Sequence, residues 1–444
     1  MKTSPHTQPM GLNSHENEIV NDLVQNHDDM VETLLTWSLQ NSGSLNREGL
    51  AKMRELLRAK FSSLPGQITD VALSSQSIIS KTGEEVMREF EPSLRLTTRP
   101  EAPVQLVLTG HYDTVFPKSS HFQSPTYLGD MIVNGPGVAD MKGGILVMWQ
   151  ALQALERSSH KDNIGYTVLL SPDEEIGSPG SAAELNRLGV KADIGLTFEP
   201  ALADGSMAGA RKGSGNFSLI IRGKAAHAGR EHHLGHNAIN AMADFALRIE
   251  ALNGQRDEVT FNLAKIDGGG ANNIVPDLAI GRFNVRMKAS EDMAWIEENI
   301  KKCMDAVKQR EGITLHLHGG FSRPPKPMSE ANAMVFNWVK QAGECLGQMI
   351  KWSPSGGVCE GNNLWAAGCP NVDTLGVRGG HIHSDQEFVD ISSLVERAQL
   401  TTVILLKLAS GEFDAKHAKQ MAMSIVGKLS GAKSDHHKSD KAVS

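Results

Sequence analysis

Cysteine is scarce in this chain, with Cys303, Cys345, Cys359 and Cys369 the only four in 444 residues and no C-x-x-C spacing among them. That excludes a disulfide scaffold and a thiolate metal knuckle, and isolated cysteines in so long a chain read as reduced core residues. Cys359 falls near an expected substrate wall, but no base motif supports it as a nucleophile. A run of 18 apolar residues is also lacking, so no membrane span is expected, and Met1 to Gly11 has no apolar core of a secretory signal. The expected location is cytoplasmic. Basic excess is lacking as well: 44 Lys and Arg stand against 51 Asp and Glu, a net charge of −7 with no basic stripe. Nucleic acid and anionic membrane surfaces are thereby excluded as expected partners. A phosphate cradle is missing too, because the glycines between Asn134 and Gly144 do not follow a strand in G-x-G-x-x-G order and no Gly-Lys-Ser/Thr occurs there. What remains is ample for a globular enzyme: 40% hydrophobic residues and a length that predicts two or three domains.

The richest segment runs from Ser171 to Ser178, where the apolar strand Tyr166 to Leu170 gives way to Asp173, Glu174 and Glu175. Neighbouring side chains at a strand end diverge, so one carboxylate can bind a metal while the other carries a proton. Four further segments deliver polar groups in the same manner. An apolar strand from Val104 runs into His111-Tyr112-Asp113, and residues two apart share a face, so Asp113 can orient the His111 ring. The glycine-rich loop before the apolar helix Ile145 to Leu155 delivers Asp140. The strand from Asp193 ends at Glu199-Pro200, and the segment Gly379 to Val389 carries His381, His383 and Glu387. Each segment alone is more often structural than functional. Together, two histidines and three carboxylates suit two divalent ions ~3.5–4 Å apart, with oxygen and imidazole donors pointing to zinc. Three carboxylates against two dications leave a charge of about plus one, enough to acidify a bridging water.

In this order the motifs His-x-Asp, Gly-x-x-Asp-Met-Lys-Gly, Asp-Glu-Glu-x-Gly, Glu-Pro and His-x-x-x-Glu-Phe-Val resemble the M20 metallopeptidase family, and within it the glutamate carboxypeptidase branch. The resemblance spans roughly residues 100 to 410. It implies that Asp140 bridges two Zn2+ ions per subunit, with Co2+ or Mn2+ as substitutes. It further implies that His111 and Glu199 complete one site, that Glu175 and His383 complete the other, and that Glu174 is the general base. His383 stands four residues before Glu387 as the family pattern requires, which makes His381 a neighbour.

The rhythm of elements predicts an inserted domain. Up to Glu199, helices at about 16–40 and 46–61 are followed by strands near 104–109, 164–170 and 193–198 with helices between them. Such alternation predicts an α/β catalytic domain around a mainly parallel sheet. Residues 213–324 instead read βαββαβ, a ferredoxin-like α+β lid, and the chain returns through Arg323-Pro324-Pro325-Lys326-Pro327. The catalytic domain is therefore expected to be discontinuous, 1–212 with 325–444, and to include a strand from Val372 to Val377. The first 15 or so residues and the tail from Ser430 to Ser444 are expected to be irregular.

Lid residues His227, Asn273, Arg286 and Arg323 resemble family positions that contact substrate. The resemblance implies that His227 and Asn273 act from the partner subunit of a homodimer built through the lid, His227 on the oxyanion, while the arginines grip a carboxylate through their planar forks. The branch's Gly-Gly-Gly-Thr-Asp motif is replaced by Ser355 to Asn363, which reads SGGVCEGNN, and the lysine that family members use for substrate is not clearly present. The resulting expectation is a zinc amide hydrolase that frees a C-terminal amino acid such as glutamate from a small carboxylate-bearing acyl-amino acid or dipeptide. An N-acyl amino acid deacylase and a non-catalytic carboxylate-binding dimer are the alternatives.

Overall fold

In the computed structural model, which describes residues 11–439, the apolar strand segments assemble into a six-stranded sheet. Its order is Gln67–Val71, Ser93–Thr98, Ile164–Ser171, Val104–His111, Ile194–Thr197 and Asn371–Val372. The last four run parallel, and the first two are antiparallel additions at one edge. Both faces of the parallel strands are apolar because both are covered. Leu106, Leu108, Val168 and Leu196 face the helices Gly144–Leu155 and Ser393–Ser410, while Val107 and Leu169 face Leu185, Leu188 and Leu364 on the opposite side. Gly144 permits the close seat of its helix on the sheet, since a Cβ there would fall 2.0 Å from the Phe198 carbonyl oxygen.

A second layer follows from the change of rhythm after residue 212. Strands Gly213–Arg222, Thr260–Gly268, Leu278–Met287 and Thr314–Arg323 form an antiparallel sheet, backed by helices Ala238–Glu250 and Asp292–Lys308. Alternation assigns its faces. Phe217, Leu219, Phe261, Phe283 and Val285 pack on the two helices in a hydrophobic core of their own, which leaves the positions between them facing the catalytic sheet.

Several elements were not anticipated. The strands Gln67–Val71 and Ser93–Thr98 and the hairpin Gln76–Ile79 with Glu85–Arg88 occupy a region with no predicted elements. The hairpin crosses to the lid: Ile79 is buried against Ile220 and Ile280, and Arg282 Nη2 donates to the carbonyls of Ile79 (3.0 Å) and Ser80 (3.1 Å). The strand expected over 372–377 is only Asn371–Val372, because Asp373 and Thr374 turn inward to make polar contacts. The predicted helix at 16–40 is two, Ser14–Asp22 and His27–Leu39, joined by a tight turn. Ser14–Asp22 begins inside the segment expected to be irregular, with Asn13 and Glu16 forming a reciprocal cap. Likewise the helix Ala415–Ser439 runs into the expected irregular tail. Residues 1–10 and 440–444 lie outside the described residues.

Candidate metal centre

Parallel pairing aligns the C-terminal ends of the central strands, and His111 stands in register with Ser171. The groups that follow those strands therefore gather at one edge, where open α/β sheets place their ligand sites. His111 is fully buried. Its Nε2 lies 3.1 Å from Asp140 Oδ1 and 3.9 Å from Glu199 Oε2. His383 Nε2 lies 3.3 Å from Asp140 Oδ2 and 3.1 Å from Glu175 Oε2. Asp140 thus turns one oxygen towards each histidine. The donor atoms of His111, Asp140 and Glu199 all fall within 4.8 Å of one another, as do those of Asp140, Glu175 and His383.

Asp113 organises the centre from behind. It is buried, with Oδ1 3.3 Å from His111 Nδ1, and its carboxylate accepts the backbone N–H of Glu174 (3.1 Å) and of Glu175 (3.2 Å) and the Ser44 hydroxyl (2.7 Å). His111 Nδ1 is also 3.0 Å from the Asp113 carbonyl oxygen, so this one residue orients the imidazole through its backbone and carboxylate and fixes, through the carboxylate, the turn that carries both glutamates. Glu387 does the same for Asp140, accepting from the N–H groups of Gly137, Ala139 and Asp140 at 2.9–3.1 Å. His383 holds a left-handed backbone, φ 66°, a conformation uncommon for residues other than glycine and one that clusters at functional sites.

The electrostatics are those of a cation site. Burial works to lower the basicity of His111, but the carboxylates of Asp113, Asp140 and Glu199 override it and hold the proton well above the ordinary histidine range. Hydrogen bonds to Asp140 and Glu175 push His383 up to about 11. Glu175 is raised by burial and by repulsion from Asp140, and Glu199 is raised by burial. Buried carboxylates resist ionising together unless positive charge sits among them. Glu199 Oε1 is buried without a hydrogen-bond partner. Imidazole nitrogen and carboxylate oxygen, with no thiolate in either group, are the donor set of zinc and its borderline neighbours.

Glu174 adjoins both groups and belongs to neither. Arg323 Nη1 lies 2.7 Å from Glu174 Oε1, an ion pair by distance whose angles do not make a hydrogen bond, and Arg323 Nη2 takes the Ser178 hydroxyl at 2.5 Å. Both terminal nitrogens of Arg323 are thus engaged within the protein, while its Nε and the Nη1 of Arg286 are buried without a partner among the described residues, and both arginines line the lid-side cavity. His227 and Asn273 stand apart from this cluster. They are exposed neighbours, joined through the Ala228 N–H to the Asn273 carbonyl (2.8 Å), and neither lines a cavity that reaches the candidate ligands among the described residues. His227 Nδ1 accepts from the N–H groups of Gly229 and Arg230, so the ring carries its proton on Nε2, pointing a donor outward. His381 lies outside both ligand groups.

Two cavities meet at Glu174 and His383. One, about 280 Å³, runs along the catalytic sheet past Leu202, Met207 and Ile382 to Arg211. The other, about 470 Å³, is walled by the lid. Arg211 was missed by sequence reasoning, and so were its partners. Its guanidinium binds the Asp373 carboxylate in two places (2.8 and 2.7 Å) and Lys326 Nζ shares that carboxylate at 2.7 Å, all three groups being buried. A signal did exist, since Asp373 ends a strand as Glu199 does. Glu360 was missed too. It is fully buried, accepts from Ser171 at 2.5 Å, and is pushed up to about 8 by burial. Burial raises the Cys359 thiol well above its ordinary range, against any nucleophilic role.

With that geometry in hand, residues 107–407 match the model of peptidase family M20/M25/M40. Carboxypeptidase G2 of Pseudomonas sp. strain RS-16 is 28% identical over 378 residues, covering 84% of this chain and 87% of its own length. Succinyl-diaminopimelate desuccinylase 1 of Alteromonas mediterranea is 26% identical over 69% of this chain and 83% of its own. Among solved structures, a tripeptidase from Staphylococcus aureus superposes with a TM-score of 0.67 at 25% identity, covering 87% of this chain and 99% of its own.

Proposed function

Because the chain belongs to peptidase family M20/M25/M40 and is a metal-dependent hydrolase, we propose that it is a dinuclear zinc amidohydrolase that frees a C-terminal amino acid such as glutamate from a small acyl-amino acid or dipeptide. The observation that carries the reading is Glu174, an acid placed against both ligand groups without membership of either. His111, Asp140 and Glu199 would hold one ion and Asp140, Glu175 and His383 the other. Bound there, the ions supply Lewis acidity and an acidified water. Glu174 takes the proton of the attacking water on its carboxylate and returns it to the departing amine. Asp113 keeps His111 in one tautomer and Glu174 at its station. Arg286, with an unpartnered nitrogen over the lid-side cavity, binds the carboxylate of the departing amino acid. A deacylase reading is favoured by the desuccinylase relatives and differs only in what fills the sheet-side cavity. The binding-only alternative leaves Glu174 without a task.

We further propose the division 1–212 with 325–444 as catalytic domain and 213–324 as lid, and a homodimer in which His227 Nε2 and Asn273 of the partner copy reach the oxyanion. No helix among the described residues is long and apolar enough to cross a membrane, the negative net charge agrees with a small-molecule rather than a nucleic-acid partner, and a cytoplasmic location is part of the proposal. The test is amino-acid release from N-acyl-amino acids and dipeptides by zinc-loaded protein, with Glu174→Gln beside it. Turnover should fall by about 10²–10⁴ fold in the variant while bound metal is unchanged. A loaded wild-type protein that hydrolyses no amide of the panel would refute the reading.

A further inference from the structure

On the division proposed above, the chain crosses between the two domains twice, at residues 211–213 and 323–326, and two side chains of the catalytic domain each hold both crossings. The crossings run side by side. Arg211 and Lys326 form an antiparallel bridge, each N–H donating to the other's carbonyl (2.8 and 3.0 Å), and a Cβ on Gly213 would fall 2.7 Å from the Pro325 ring. Pro324 and Pro325 have no N–H to give, so the returning chain is held there through its carbonyls and through the residues on either side.

Asp373 supplies one hold. It follows the short strand Asn371–Val372 at the edge of the six-stranded sheet, is fully buried, and accepts from Arg211 Nε and Nη2 at 2.8 and 2.7 Å and from Lys326 Nζ at 2.7 Å. One carboxylate thus pairs a cation from each crossing, and without it two buried like charges would face each other. Asn362 supplies the second hold. It is also fully buried, and its Nδ2 donates to the Lys212 carbonyl (2.9 Å) of the outgoing crossing and to the Pro324 carbonyl (2.8 Å) of the returning one. Its Oδ1 accepts the Cys359 N–H (3.1 Å), which fixes the amide in that orientation.

The returning crossing begins at Arg323, and the turn that carries Glu174 depends on where Arg323 stands. Arg323 Nη1 lies 2.7 Å from Glu174 Oε1, while Nη2 reaches the Ser178 hydroxyl at 2.5 Å and the Glu174 carbonyl at 3.4 Å. The guanidinium therefore spans the turn. Asn362 grips the chain one residue after Arg323, at Pro324, and Asp373 grips it three residues after, at Lys326. None of Asp373, Asn362 and Lys326 lines either cavity of the site.

Resting on the hydrolase reading and the domain division above, we infer that Asp373, Asn362 and Lys326 are positioning residues: they clamp both crossings to the catalytic sheet, and so set Arg323 and, through it, the orientation in which Glu174 takes its proton. Arg323 carries their effect. Loosening the clamp therefore slows turnover only while Arg323 is present.

Asp373→Asn would leave Arg211 and Lys326 buried and unpaired, a change that unfolds proteins rather than reporting on a site. Lys326→Met leaves the Arg211–Asp373 pair balanced, and Asn362→Ala removes two amide donors without touching a charge, so these two variants carry the test. On zinc-loaded protein each should lower kcat for an amide substrate by about 10-fold, short of the ~10²-fold of a full 1 Å misplacement, and shift KM by less than about 3-fold, with bound metal unchanged. In an Arg323→Met background the same two changes should lower kcat by less than about 2-fold, because residues that act through one group are not additive. Hydrogen exchange at the Arg211 and Lys326 amides, which bond each other's carbonyls, should be faster in both variants. Undiminished losses in the Arg323→Met background would mean a merely structural role and overturn the inference. Unchanged kcat in the wild-type background, or losses that follow a loss of bound metal, would overturn it as well. A wild type that hydrolyses no amide defeats the hydrolase reading, and exchange then decides the clamp alone: unchanged protection of both amides overturns it, and faster exchange upholds it.

Discussion

At the scale of single residues, division of labour among neighbours is what makes the centre chemically specific. Glu174 and Glu175 are adjacent in sequence, yet Glu175 joins His383 and Asp140 within one ligand group while Glu174 turns to Arg323. Asp140 has the largest share, since each of its oxygens faces a different histidine. Its replacement by alanine should therefore remove both ions rather than one, and elemental analysis of repleted protein should fall from about two ions per chain to fewer than one. Retention of a full ion would assign the two groups separate, unbridged cations. Replacing Glu199 should spare the group that contains His383. His383 was picked out by its spacing from Glu387 in the family pattern and Asp140 because it precedes an apolar helix, whereas His111, Glu175 and Glu199 were visible in sequence because each follows an apolar strand. Asp113 was visible for the same reason, but not its hold on the N–H groups of Glu174 and Glu175, which depends on the turn folding back over the strand end.

At the scale of elements, the hairpin Gln76–Arg88 is a clasp between the two layers. Besides the Arg282 bonds, Arg222 Nη2 donates to the Gly83 carbonyl (3.1 Å), and Ser77 Oγ is hydrogen-bonded to His318 Nε2 (2.9 Å). Ile79→Ala should cost about 2 kcal/mol, in the range for a buried aliphatic truncation, and should raise KM more than it lowers kcat, because the lid wall would lose its fixed distance from Glu174. Urea unfolding with parallel kinetics checks both. A loss below about 0.5 kcal/mol would mean that the clasp is open in solution. None of this was foreseeable from pattern. The hairpin strands are only four residues each, the first half-buried and the second mostly exposed, so neither carries the long apolar alternation that revealed the lid strands. The parallel strands were readable because double-sided burial writes a continuous apolar run. The antiparallel edge strand Gln67–Val71 is half exposed and reads as loop. The lid's βαββαβ order was readable because its core-facing positions alternate over long strands.

At the scale of the whole molecule, His227 lines neither of the cavities that reach the candidate ligands of its own chain and is exposed, which is the reason for assigning its outward donor to a partner copy. Mixing inactive His227→Ala with inactive Glu174→Gln protein should restore activity on subunit exchange, towards about half of wild type per heterodimer, because one of the two composite sites regains both groups. Continued inactivity despite demonstrated exchange, or a fully active monomer, would place the oxyanion donor elsewhere. The insertion of the lid between Glu199 and His383 also bears on biosynthesis. Chains leave the ribosome from the N-terminus and fold in units as they do so. His111, Asp140 and Glu199 therefore emerge early and spell out one complete ligand group. His383 follows only after the whole lid, and the helix Ser393–Ser410 that covers the sheet comes later still. On the two-ion reading proposed above, a nascent or truncated chain that stops in the lid would present one candidate ligand group of the two, and the second ion would be acquired only once translation is complete.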